Sequence, residues 1–261
     1  MFDTHCHLQS LFHGSHSSLP QTSTLSSFNL AYLDNPNNHF LTVSTSVDDW
    51  SISMALSKQY KHILAALGLH PWFVNSESIS TLEALERLVI SEAISAIGEI
   101  GLDYGHGYKH NMECQLAAFG SQLQMADKFK LPTSLHIVKA HNDALALLKR
   151  YQVKGVVHGL GTSIDMAQNY IDLGLKIGVN GVSVRKNAAR YHALIKYFGL
   201  EHLVLETDFP NVTLPGQEFP RLDDIQVVAN TIAGILNITV SEVISKTDFN
   251  AHQLFYPRHD E

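Results

Sequence analysis

Short apolar runs alternate along this chain with longer stretches whose apolar residues recur every three to four positions. The short runs predict strands at 1–7, 39–45, 62–69, 94–100, 132–137, 153–158, 175–180 and 202–207. Between them the helical period predicts helices at 47–60, 80–92, 111–130, 141–151, 163–173 and 186–198, with two more at 223–236 and 240–255. In 111–130, Leu116, Phe119, Leu123 and Ala126 form one apolar stripe. Strand–helix alternation implies parallel strands, and eight strands suit a closed (β/α)8 barrel of the TIM type. The Ser- and Asn-rich stretch 9–38 reads as a loop after the first strand, with room for a short helix.

Composition fits that architecture. The chain has 261 residues, 45% of them hydrophobic and 16% charged, without a shift that would divide it, so 1–261 is expected to form one domain. No apolar stretch approaches the roughly 20 residues that span a bilayer. The first residues lack the basic and apolar regions of a signal peptide. Two cysteines, Cys6 and Cys114, are too few for a disulfide framework and fit a reducing cytoplasm. The net charge of −7, with 18 basic against 25 acidic residues, argues against coating long nucleic acid through a broad basic surface. It still allows a few phosphates to be held locally, and no membrane or obligate protein partner is expected.

The chemistry lies at the strand ends. A strand alternates its faces, so His5 and His7 of Asp3-Thr4-His5-Cys6-His7 point one way and can grip one metal ion. Cys6, facing the other way, is expected to be a small core residue. Strand 4 carries Glu99, strand 5 His136, strand 6 ends at His158, and strand 8 runs through Glu206 to Asp208. Each has a plainer reading: His136 as a core histidine, Asp208 as the cap of a turn. Glu99 between Gly98 and Gly101 is harder to explain so, because an unpaired buried carboxylate is costly. In a barrel of this type the C-terminal strand ends converge on one mouth. Four histidines and two carboxylates there suit two divalent ions, with Glu99 placed to bridge them.

These residues also carry a resemblance. FDTHCHL at the start, GLHPW at 68–72, IGEIGLDY at 97–104, LPTSLHI at 131–137, GVVHG at 155–159, LETDFP at 205–210 and NAHQLF at 250–255 resemble the TatD family of metal-dependent deoxyribonucleases, within the amidohydrolase-like metallo-barrels. The resemblance covers nearly the whole chain. It implies His5, His7 and Asp208 on one ion, His136 and His158 on the other, and Glu99 shared. Two departures fall on the substrate mouth. The family's basic residue two positions beyond the strand 5 histidine is Val138 here, with Lys139 next. Its His-Phe-Ser-Gly becomes His158-Gly159-Leu160-Gly161.

The expected activity is hydrolysis of a phosphodiester, as in a deoxyribonuclease, by water that two ions activate. Zinc, manganese or magnesium would all suit the ligands. Asp208 would position the water and take its proton, and Glu99 would bridge the ions. His70 would bond the phosphoryl group, or else fix the turn at Pro71. Lys139, Arg185, Lys186 and Arg221 are candidate phosphate contacts, although solvation is the ordinary fate of such side chains. The same centre could instead cleave a C–N or carboxylic ester bond, and a non-catalytic metal-binding protein is a third reading. His13, His16, His106 and His110 read as solvated loop residues near the entrance.

Overall fold

A computed structural model describes residues 1–12, 29–105 and 107–256. His13, His16 and His106 lie outside the described residues, and His110 is exposed. Among the described residues eight parallel strands close into a barrel in chain order. They are β1 (Phe2–Cys6), β2 (His39–Val43), β3 (Ile63–Leu67), β4 (Ala96–Asp103), β5 (Thr133–Val138), β6 (Gly155–Val157), β7 (Leu175–Val179) and β8 (Leu203–Leu205). Asp3 pairs with Leu205 to close the ring. The helices are α1 (Val47–Gln59), α2 (Ser78–Ser91), α3 (Met112–Phe129), α4 (His141–Leu148), α5 (Ile164–Asp172), α6 (Ala189–Phe198), α7 (Ile225–Leu236) and α8 (Val240–Phe255). Residues 29–33 add a helical turn inside the expected loop.

All eight expected strands and all eight expected helices form, with ends shifted by a few residues. The largest change is β4, which runs on to Asp103 through glycines that suggest an earlier stop. Gly101 belongs in the strand because its φ is +150° and a Cβ there would run into the His136 carbonyl of β5.

The main core fills the space between strands and helices, with Leu67, Ile97, Phe119, Leu123, Leu135 and Tyr170 fully buried. A second cluster joins Phe2 of β1 and Ala96 of β4 to Ala251, Leu254 and Phe255 of α8. The Phe2 N–H donates to Asp248 of that helix, so α8 packs where the strands begin. Cys6 lies, as expected, in an apolar cluster with Leu8, Leu33 and Phe40.

Two departures from regular pairing aim side chains into the mouth. The register shifts between Asp3 and Cys6 in β1, around His5, and between Ile97 and Ile100 in β4, around Glu99. Such irregularities commonly re-aim a residue beside an active site. Among the described residues no single helix is long and apolar enough to cross a membrane.

Candidate metal centre at the barrel mouth

Glu99 is 3% exposed, and its two oxygens face different histidines. Oε2 lies 3.5 Å from His5 Nε2 and 3.8 Å from His7 Nε2. Oε1 lies 3.1 Å from His136 Nδ1 and 3.9 Å from His70 Nε2. Asp208 divides in the same way: Oδ1 is 3.6 Å from His7 Nε2 and 4.0 Å from His5 Nε2, while Oδ2 is 3.5 Å from His158 Nε2. All six residues expected from the strand ends therefore meet in one cluster, with His70 beside it.

The outward nitrogens of the four histidines are held from behind. His7 Nδ1–H donates to the Val43 carbonyl (2.9 Å), which leaves the Nε2 lone pair facing the two carboxylates. His158 Nδ1–H donates to Glu206 Oε2 (3.0 Å). His136 Nε2–H donates to Asp103 Oδ2 (3.2 Å), and His5 Nδ1 bonds Ser134 Oγ (2.9 Å). His5 Nε2 is buried without a hydrogen-bond partner among the described residues. A buried imidazole nitrogen left bare between two carboxylates is what an absent cation would explain. The imidazole and carboxylate donors also suit a divalent ion, so the residues fit a metal centre.

His70 is close to this group but does not present a lone pair to it. Its Nδ1 accepts the N–H of Trp72 (3.2 Å), so neutral His70 carries its proton on Nε2, which faces Glu99. Burial drives its pKa down to about 3, and the ring is therefore neutral at ordinary pH. The turn reading of His70 agrees with this bond, which caps Pro71–Phe73, while Nε2 faces Glu99.

Burial favours neutral forms throughout the cluster, yet the charges override it. Burial would raise the Glu99 carboxyl, but His5, His70 and His136 hold it well below the usual range. Asp208 is likewise depressed, against burial, chiefly by His158. His136 is lifted to about 9, against burial, by its hydrogen bonds to Asp103 and Glu99. His158 is raised by Glu206 and Asp208 in the same way.

Glu206, Asp103, Ser134 and Asp3 support the cluster, and the strand-end pattern in the sequence does not single them out. Glu206 is fully buried and accepts both His158 Nδ1–H and the Gly159 N–H (3.0 Å). Gly178 in β7 makes room for it, because a Cβ there would collide with the Glu206 carboxylate. Asp3 accepts the N–H groups of His5 (3.2 Å) and Thr207 (3.0 Å), tying the strand of one ligand to the turn that carries Asp208. Glu206→Gln is expected to lower metal affinity about 10- to 100-fold, since the amide oxygen can still accept the Nδ1–H of His158 but no longer supplies the negative charge that makes this imidazole a stronger donor to a cation. Metal titration of the folded variant measures this, and unchanged affinity would refute the role.

The basic residues are dispersed. Lys139 is exposed just beyond β5, in a left-handed conformation (φ +54°). Arg185 and Lys186 are exposed beyond β7. The Arg221 guanidinium makes a two-pronged bond with Asp223 (2.9 and 2.8 Å), so that carboxylate occupies its fork.

Comparison with known proteins agrees with the barrel fold. Residues 2–256 match the family described as TatD related DNase. The metal-dependent hydrolase YjjV of Escherichia coli is 34% identical over 66% of this chain and 68% of its own. In the crystal structure of that protein 98% of each chain superposes, with a TM-score of 0.86 and 29% identity. A Klebsiella pneumoniae protein named 3'-5' ssDNA/RNA exonuclease TatD is 33% identical over 69% of this chain and 70% of its own.

Proposed function

This chain belongs to the family of TatD-related DNases and is a metal-dependent hydrolase; from that premise we propose that it hydrolyses phosphodiester bonds of nucleic acid at a two-ion centre. The observation that carries the two-ion reading is the division of Glu99, one oxygen toward His5 and His7 and the other toward His136. His5, His7 and Asp208 would hold one ion, His136 and His158 the other, and Glu99 both. Zinc, manganese and magnesium are the proposed metals, and histidine-rich ligation favours the first two. Bound there, the ions would supply Lewis-acid activation of water and neutralise phosphate charge.

The chain's own residues supply the rest. Asp208, ionised and facing the cluster with both oxygens, orients the attacking water and accepts its proton. His70 Nε2–H donates to a phosphoryl oxygen without adding a titrating charge. The water oxygen attacks phosphorus, the P–O bond opposite breaks, and the departing oxygen is protonated from solvent while Asp208 returns its proton to solvent. Lys139 and Arg185, exposed beside the mouth, are proposed to meet flanking phosphates. Arg221 would do so only on leaving Asp223.

Nucleic acid is proposed as a locally bound substrate, consistent with the −7 net charge and with the name of the Klebsiella relative. We take the chain as one domain. Its two free cysteines fit a reducing compartment, so a cytoplasmic location is proposed.

One preparation, loaded in turn with each metal, should be offered a single-stranded oligonucleotide, a bis-aryl phosphate and a cyclic amide. Cleavage of the first two and not the third is expected. Hydrolysis of the amide alone would overturn the phosphodiesterase reading in favour of C–N chemistry.

A further inference from the structure

Trp72 stands at the edge of the cluster with half of its surface open. It is 50% exposed, whereas the chain's other tryptophan, Trp50, is 3% exposed. Its indole is fixed on several sides. Nε1–H donates to Asp103 Oδ2 (2.6 Å), and Tyr108 lies stacked on it at 5.1 Å and 10° between planes. The ring centroid is 4.8 Å from that of His70 and 6.1 Å from that of His136. A single exposed ring is ordinary on a protein surface; what distinguishes this one is its place beside His70 and His136. Here the ring is flat, backed by a second ring and already immobilised, so covering it with another flat ring costs little conformational entropy.

We propose that Trp72, backed by Tyr108, is a stacking platform for an unpaired nucleobase whose phosphodiester enters the metal centre. The proposal rests on the phosphodiesterase reading and deepens it, because it names the side chains that would receive a base beside the metal centre. Paired bases in a duplex are already stacked on both faces, whereas every unpaired base has a face to offer. The platform also supplies substrate affinity without basic charge, which accords with an acidic protein whose lysines and arginines at the mouth are few. The hydrogen bond from Trp72 to Asp103, which also holds His136, connects the platform to the cluster.

Kinetics with matched substrates tests the platform. Trp72→Ala is expected to raise KM for a single-stranded trinucleotide about tenfold, the scale of one lost base stack. Trp72→Phe keeps a ring but loses the bond to Asp103, so it should hold KM within about twofold while lowering kcat. A trinucleotide lacking the base at the stacked position should be cleaved by the unaltered enzyme with the KM of the alanine variant. Equal KM for base-bearing and abasic substrates, or an alanine variant changed in kcat alone, would overturn the platform.

Fluorescence of the unaltered holoenzyme gives a readout independent of cleavage. With Trp50 buried, deoxyadenosine monophosphate should quench Trp72 emission and deoxyribose phosphate should not. No quenching by the nucleotide would overturn the platform even if oligonucleotides are cleaved. Quenching by the nucleotide with no cleavage of any phosphodiester would uphold the platform and sink the phosphodiesterase reading instead.

Discussion

Asp208→Asn is expected to leave a folded protein whose phosphodiesterase rate is lower by about 10³-fold. The substitution is chosen to keep everything except charge and basicity. Asp208 sits at φ +57°, a conformation that aspartate and asparagine both tolerate. The amide can still accept from Asn211 Nδ2, which bonds Asp208 Oδ1 at 3.0 Å. What disappears is the carboxylate that faces His7 and His5 with one oxygen and His158 with the other. An amide cannot take a proton from water, and its NH2 group would point a donor at one of those nitrogens. A thermal melt and a metal titration accompany the rate measurement. A variant that melts like the parent and retains its full rate would sink the mechanism.

That variant leaves the backbone at this position in place, because the surroundings of Asp208 are fixed by other bonds, and the metal titration separates loss of the ion from loss of the proton acceptor. Its N–H donates to the His5 carbonyl (2.9 Å), and the neighbouring Thr207 is held through N–H and Oγ by Asp3. The base is therefore tied to the strand that carries two of its partners. Glu206 and Asp103 play the same part on the other side, each fixing the orientation of one histidine. Removing either changes where a lone pair points, while removing Asp208 changes both how the site holds an ion and what it can do to a proton.

The barrel and its inner ring of residues were legible in the sequence for a single physical reason. Strands have a period of two and a fixed direction, so residues at their C-terminal ends converge whatever loops lie between. His5, His7, Glu99, His136, His158 and Asp208 could thus be read without coordinates. The residues behind them could not, because their roles depend on side-chain bonds between distant parts of the chain. Glu206 reaches His158 across 48 residues, Asp103 reaches His136 across 33, and Trp72 reaches Asp103 across 31. The proton on His70 Nε2 is likewise set by one backbone N–H. Charge alone was a poor guide at the mouth: Arg221 looks like a phosphate ligand in sequence, yet its fork is closed on Asp223 two residues away.

Metal affinity is expected to rise with pH up to about pH 9, by about tenfold per pH unit for each proton that binding must displace. Without metal, His136 lies against Glu99 and Asp103, and its pKa of about 9 means that both ring nitrogens hold protons at neutral pH. Its Nδ1 can meet a cation only after losing one of them. His158 and His7 are raised too, against burial, by Glu206 and Asp208 for the first and Asp208 and Glu99 for the second. Metal and protons therefore compete for the same lone pairs, and calorimetry in buffers of different ionisation enthalpy should record proton release. The same shift governs stability. A histidine whose folded pKa exceeds the unfolded value near 6.5 stabilises fully below 6.5, and that contribution is lost as pH rises through 9. Asp3, raised to about 7 by burial, acts in the same direction but is spent once the pH passes 7. Metal-free protein should accordingly melt at a lower temperature at pH 9 than at pH 6.5. Metal-loaded protein should not, because the cation takes over the role of the lost proton. Affinity that stays flat between pH 6.5 and 9, with no protons released, would mean that the histidines facing Glu99 and Asp208 are not the ligands.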